Sequence, residues 1–143
     1  MYFSYCPTKK IFGDNAVPAL AREIGDAGRI ALIASASAMN APGLAEALAP
    51  LDARICLRQI SHAAGEPDYL AVGALADTLR ERQVTLLLCV GGASVIDLAK
   101  AAAVCAHFPG NADEKWAQLL ASPFDTPALP IAVISSLPGT SSE

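Results

Sequence analysis

The apolar run Val84 to Val90 is followed at once by Gly91-Gly92-Ala93-Ser94-Val95-Ile96-Asp97-Leu98-Ala99-Lys100, and then by the alanine-rich stretch Ala101 to Ala106. The order reads as buried strand, glycine turn and helix over Ala93 to Cys105. A strand that is apolar at nearly every position is covered on both faces, which constrains the chain to a sheet with helices on each side. A turn of this kind leaves backbone N–H groups free at a helix N-terminus, an arrangement suited to a phosphate.

The rest of the chain repeats the pattern. Arg29 to Ala34 is a second continuous apolar strand, Ala53 to Ile60 a strand of mixed polarity, and Ile131 to Ser135 the last strand. Helices are expected from Asn15 to about Asp26, over Pro42 to Leu48, over Pro67 to Gln83 and over Asn111 to Ala121. Core-facing sets are Val17, Leu20, Ala21 and Ile24 in the first of these, and Leu70, Gly73, Ala74, Ala76 and Leu79 in the third. In the fourth they are Trp116, Leu119 and Leu120. Tyr2 to Tyr5 and Lys9 to Phe12 read as a short N-terminal strand or hairpin. Strands alternating with helices predict an α/β fold with a doubly wound, mostly parallel, Rossmann-like sheet. Ligands of such sheets lie beyond the carboxyl ends of the strands. Three such ends carry small or polar residues: Ser35-Ala36-Ser37, Gly91 to Ser94, and Ser135 to Thr140. They are expected to cluster.

Composition removes several classes of function. Across 143 residues the net charge is -4, with no basic block, which excludes nucleic acid as the expected partner. No apolar stretch reaches the roughly 18 residues of a membrane span, and the N-terminus has no secretory signal pattern. The four cysteines, Cys6, Cys56, Cys89 and Cys105, are scattered without a C-x-x-C, so the expectation is free thiols in a reducing, cytoplasmic compartment. A hydrophobic fraction of 53% exceeds that of an ordinary free-standing domain, which implies a large partner surface or a domain cut from a larger protein.

Two segments carry the chemistry. In the first, Gly91 and Gly92 permit positive φ and close approach of a ligand. Ser94 offers a hydroxyl, Ser94-x-x-Asp97 fits a capping box, and Asp97 and Lys100 stand at i,i+3, where they can pair. A capped helix with a surface ion pair explains the same residues without a ligand. G-x-G-x-x-G and the P-loop pattern are both absent. In the second segment, Ser136-Leu137-Pro138-Gly139-Thr140-Ser141-Ser142-Glu143 brings hydroxyls and a glycine to a strand end, and Thr140-x-x-Glu143 fits another capping box.

Together these segments resemble the iron-containing (group III) alcohol dehydrogenase family, related to glycerol dehydrogenase and dehydroquinate synthase. The family's G-G-G-S-x-x-D-x-A-K is matched by Gly91 to Lys100, with Ala93 in place of the third glycine. Its P-T-T-A-G-T-G-S-E is matched by Ser135 to Glu143. Pro7-Thr8-Lys9-Lys10-Ile11-Phe12-Gly13 is similar to the family's start, and Gly65-Glu66-Pro67 to its middle. The resemblance implies that residues 1–143 are the NAD(P)-binding domain of a two-domain oxidoreductase acting on a small alcohol or aldehyde. It also implies the cofactor-binding set Gly91, Gly92, Ala93, Ser94, Asp97, Lys100, Ser136, Leu137 and Thr140. Gly91, Gly92 and Ser94 would hold the pyrophosphate, and Asp97 and Lys100 would face the nicotinamide side. Ser136, Leu137 and Thr140 would line the adenosine and ribose path.

Three departures bear on the cofactor. Ser35-Ala36 replaces a Thr-Asp pair found in many relatives, and an acid there would repel a 2′-phosphate, so NAD and NADP both stay open. Leu137 replaces a threonine and Ser141 a glycine. By the same resemblance, the divalent metal, iron or zinc, is bound by one aspartate and three histidines of a helical second domain. Those residues are expected beyond Glu143, so residues 1–143 contain no catalytic or metal-ligating residue and are inactive alone. His62 and His107 read as surface or capping residues. A catalytically silent nucleotide-binding module and a dimerising domain with a degraded site remain as alternatives. An exposed strand at Tyr2 to Tyr5 predicts a homodimer, with pairing inside the same chain as the competing outcome.

Overall fold

A computed structural model describes residues 7–14, 16–61, 67–123 and 126–136. Four strands, β1 (Ile30–Ser35), β2 (Ile55–Ser61), β3 (Leu86–Gly91) and β4 (Ile131–Ser135), form one parallel sheet in the order β2-β1-β3-β4. Among the described residues five α-helices accompany them: α1 (Leu20–Ile24), α2 (Leu44–Leu48), α3 (Tyr69–Glu81), α4 (Ala93–Cys105) and α5 (Ala112–Ala121). Short 3-10 turns at Ala38–Asn40 and Ala49–Arg54 flank α2.

Strand alternation divides the core into two layers. Ala31 and Ile33 of β1, with Leu87 and Cys89 of β3, face α3 and α4. Ile30, Leu32 and Ala34, with Leu86, Leu88 and Val90, face the α1 and α2 side. β3 is therefore buried throughout and β1 from Ile30 to Ala34, as their apolar runs require. In the edge strand β2 the pairing steps from Ile30↔Ile55 to Ala31↔Leu57, which leaves Cys56 as an extra residue. That bulge lets the neighbours Cys56 and Leu57 pack on the same layer.

The doubly wound parallel sheet is the expected architecture, and α4 and β4 have the expected bounds. Other details differ. The first helix is one short segment preceded by turns, because Pro18 cannot donate to an earlier carbonyl and Gly25 ends the helix at positive φ. Lys9 to Phe12 lies outside the sheet, with Phe12 exposed and Lys9 paired to Glu23. That ion pair, helped by Arg22, holds the Glu23 carboxyl below its usual pKa. Tyr2 to Tyr5 lies outside the described residues. In α3 the buried set is Val72, Gly73, Leu75, Ala76 and Leu79, while Leu70 and Ala74 point outward. In α5, Trp116 and Leu119 pack on the core but Leu120 is 72% exposed.

Helices α3 and α5 interlock at two places. At Gly73 an added Cβ would lie 2.6 Å from Ala112 Cβ and 2.9 Å from its Cα, so only glycine admits this approach. Gly73→Ala is expected to destabilise the chain by about 1–3 kcal/mol despite alanine's better helix propensity. Urea unfolding of Gly73→Ala beside Gly73→Ala/Ala112→Gly checks this: the double variant removes the Cβ contact but keeps the 2.9 Å approach to the residue-112 Cα, so it should recover only part of the loss. At the second place, Lys115 is fully buried. Its ammonium lies 3.0 Å from Asp77 Oδ1 and donates to the Gly110 carbonyl. Asp77 also accepts from Arg80 at 2.6 Å, and Arg80 reaches the Phe108 carbonyl at 3.1 Å. The link between α4 and α5 is thereby tied to α3.

Candidate functional site

The strand order reverses direction at β1, whose neighbours β2 and β3 are reached by chain running to opposite sides. The carboxyl ends of β1, β3 and β4 consequently stand side by side. Gly91 is in register with Ser135, and the Ser136 N–H donates to the Gly91 carbonyl at 2.9 Å. A Cβ at Gly91 would meet Ser35 Oγ at 3.1 Å and Val95 Cγ2 at 3.2 Å, and Gly91 has φ +155°. The positive φ favours glycine there, and the close side chains of Ser35 and Val95 add to that preference. The three polar strand ends named from sequence are thus brought together, as far as the described residues reach.

Helix α4 begins directly on this ledge. Gly92 is its N-cap with φ -91° and ψ -170°, and no side chain caps the helix. The Gly92 carbonyl accepts from Val95 at 3.1 Å and from Ile96 at 3.3 Å. The N–H groups of Ala93 and Ser94 have no acceptor among the described residues. Gly92 itself occupies an extended conformation open to any residue, so the expectation of positive φ holds for Gly91 alone. The Ser94-x-x-Asp97 capping box does not form. Ser94 lies inside the first turn, because the helix starts one residue after Gly92 and its cap has no side chain. An uncapped first turn with unpaired donors has the geometry and the dipole that suit an anion.

Beside it, the end of β1 is a hydroxyl-rich turn. Ser35 Oγ accepts from the Ala38 N–H at 3.2 Å and lies 3.4 Å from Ser37 Oγ. Asn40 Nδ2 donates to the Ala36 carbonyl at 3.3 Å. Ser35 and Ser37 were legible as a polar strand end but not as part of the binding set. Ser35 is set beside Gly91 by the pairing of β1 with β3.

Asp97 and Lys100 are exposed, and no ion pair joins them. Asp97 lines a hollow of about 300 Å³ with Pro67, Val72, Ala101 and Trp116, where α3, α4 and α5 meet. Tyr69 stacks obliquely on Trp116 with ring centroids 6.4 Å apart. The neighbouring Asp113 carboxylate raises the Tyr69 hydroxyl's pKa. Nothing in the sequence marks this hollow, since its walls come from three separate helices. Ser136 sits on the ledge, whereas Leu137, Thr140 and the Thr140-x-x-Glu143 box lie outside the described residues, as does His62. His107 lies exposed just past α4.

Among the described residues, no group of three or more His, Cys, Asp or Glu side chains can hold a metal ion, so the metal of the resembling family finds no ligand set there. Cys89, on β3 beneath α4, is no nucleophile. Burial pushes its thiol up to about 12, with the Lys100 charge acting in the opposite direction. The folded chain keeps this proton above the usual thiol pKa of 9.0, so the associated stability is intact below pH 9 and is lost between pH 9 and about 12. Unfolding free energies of the chain and of Cys89→Ala are expected to run parallel below pH 9 and to converge above it. Among the described residues, no helix is long and apolar enough to cross a membrane.

The family model for iron-containing alcohol dehydrogenases matches residues 7–143. The chain is 28% identical over 141 residues to the NADPH-dependent aldehyde reductase YqhD of Escherichia coli (strain K12), covering 97% of this chain and 36% of that protein. It is 27% identical over 140 residues to NADH-dependent butanol dehydrogenase A of Clostridium acetobutylicum, covering 96% and 35%. The solved structure of Escherichia coli K-12 YqhD superposes with a TM-score of 0.83 at 27% identity, over 98% of this chain and 36% of that one. The Thermotoga maritima NADH-dependent butanol dehydrogenase A shares the fold, with a TM-score of 0.77 at 22% identity, over 96% and 35%. The chain spans about a third of the length of the curated relatives it matches.

Proposed function

This chain belongs to the iron-containing alcohol dehydrogenase family, and from that premise we propose that residues 1–143 form the cofactor-binding domain of a metal-dependent, NAD(P)-linked alcohol dehydrogenase or aldehyde reductase. The observation that carries the reading is the uncapped first turn of α4, set directly behind Gly91 and Gly92 at the reversal in strand order. A dinucleotide's diphosphate needs several backbone donors and no competing carboxylate, and this ledge offers that set. Gly91, Gly92, Ala93 and Ser94 hold the diphosphate, and Ser136, with Leu137 and Thr140, continues toward the adenosine. Asp97 and Lys100 stand farther along α4, toward the nicotinamide.

When bound, the dinucleotide supplies or accepts the hydride, and the chain's own task is to orient it. The relatives are named for NADPH in one case and NADH in the other. The metal and the alcohol or aldehyde belong to a part of such an enzyme outside residues 1–143, so the 143-residue chain alone turns over no alcohol. The homodimer through Tyr2 to Tyr5 and the cytoplasmic location rest on the sequence. Deleting Met1 to Tyr5 tests the dimer by its effect on mass in solution.

The direct test is titration of the 143-residue chain with NADH and NADPH, followed by fluorescence and calorimetry. Saturable one-site binding is the expected result. Absence of binding of either at millimolar concentration would overturn the proposal.

A further inference from the structure

We propose that the hollow where α3, α4 and α5 meet binds a small organic cation, an alkylated ammonium group held between Trp116 and Asp97. The inference is independent of the dinucleotide reading, which concerns the ledge behind Gly91. The hollow measures about 300 Å³, the lower end of the range for small-molecule sites. Pro67, Val72, Asp97, Ala101 and Trp116 line it, so its walls are apolar and aromatic with one carboxylate among them.

Two features select the charge and the kind of ligand. The first is the carboxylate. Asp97 is exposed and has no ion pair or side-chain hydrogen bond among the described residues. The cations of the adjoining helices do not neutralise it. Lys115, beside Trp116 in the chain, is turned inward to Asp77 and the Gly110 carbonyl. Arg80 is held by Asp77 and the Phe108 carbonyl. The second feature is the aromatic wall. Tyr69 leans on Trp116 with the ring planes 43° apart, and its hydroxyl donates to the Asp113 carboxylate. The indole is thereby braced beside further negative charge. An indole face attracts a cation through its quadrupole. A methylated ammonium satisfies every wall at once: its charge meets Asp97 and the ring, and its methyl groups meet Pro67, Val72 and Ala101. A bare ammonium or a sodium ion keeps its water instead, an anion is repelled, and a neutral apolar group gains nothing from Asp97.

Trp116 is the chain's single tryptophan, so its fluorescence reads the hollow directly. Choline is titrated into the 143-residue chain without dinucleotide. The controls are its neutral isostere, with a tert-butyl group in place of trimethylammonium, and sodium chloride at equal ionic strength. Choline is expected to change the Trp116 emission saturably, with a millimolar dissociation constant. The isostere is expected to bind at least about tenfold weaker, and the salt to give no saturable change. Asp97→Asn should weaken choline at least about fivefold with little change in the urea midpoint, because the side chain is exposed. Trp116→Leu, followed by calorimetry, should abolish binding. Equal affinities for choline and its isostere, or an undiminished choline affinity in Asp97→Asn, would overturn the assignment of a cation. Absence of any saturable response to choline would overturn the site itself.

Discussion

Asp77→Ala is expected to lower the unfolding free energy by roughly 3 kcal/mol, a large share of what a domain of this size holds. The loss comes from the partner left behind. Lys115 is fully buried, and without Asp77 its ammonium retains the Gly110 carbonyl as its only acceptor among the described residues. Arg80 also loses Asp77, but its side chain is half exposed and water replaces the contact at little cost. Lys115→Met removes the charge while filling most of the space, so it should cost far less than Asp77→Ala. The double variant Asp77→Ala/Lys115→Met should recover most of the single variant's loss. Urea unfolding of the three chains measures all of this. Equal losses for Asp77→Ala and Lys115→Met would show that packing rather than the stranded charge sets the cost.

The second large effect is on binding. Gly92→Asp is expected to weaken NADH and NADPH at least about a hundredfold while leaving thermal stability unchanged or slightly raised. The backbone at Gly92 already has the extended geometry of an N-cap, so aspartate fits without strain. Its carboxylate would accept from the first-turn N–H groups and add a few tenths of a kcal/mol of capping. Those are the donors proposed for the diphosphate, and the new charge also repels it. Losing two charge-assisted hydrogen bonds of roughly 1.5 kcal/mol each corresponds to the expected factor. Opposite signs for stability and affinity separate this outcome from simple misfolding. A raised melting temperature with unchanged affinity would place the diphosphate elsewhere.

Much of this architecture was legible because parallel strands buried on both faces leave long apolar runs. Arg29 to Ala34 and Val84 to Val90 announce β1 and β3 within two residues. Glycine at Gly91 and the alanine-rich run after it mark α4 with its observed bounds. Helix faces were less legible where alanine and leucine surround the helix. In α3 the pattern places Leu70 and Ala74 on the core face, but packing buries Val72 and Leu75 in their stead. Leu120 is the same case in α5. The capping box at Ser94 misled because hydroxyl spacing says nothing of where the strand releases the chain. The site was legible as separate strand ends. Its assembly, with Ser35 against Gly91, depends on β1 and β3 being neighbours, which no local spacing encodes. Lys115 carries no signal at all, since a lysine on a short helix ordinarily faces water.

The strand order also sets a timetable for folding. Every pairing in the sheet joins segments that are distant along the chain: Ile30 meets Ile55 and Leu86, and Leu87 meets Ile131. Helical turns form early and locally, but β1 stays without its inner neighbour until the whole β2–α3 excursion has been made. During synthesis the N-terminal third therefore leaves the ribosome with its most hydrophobic strand unsheltered on one side. Slow refolding, with apolar surface exposed in the early intermediate, is the expected consequence of that connectivity.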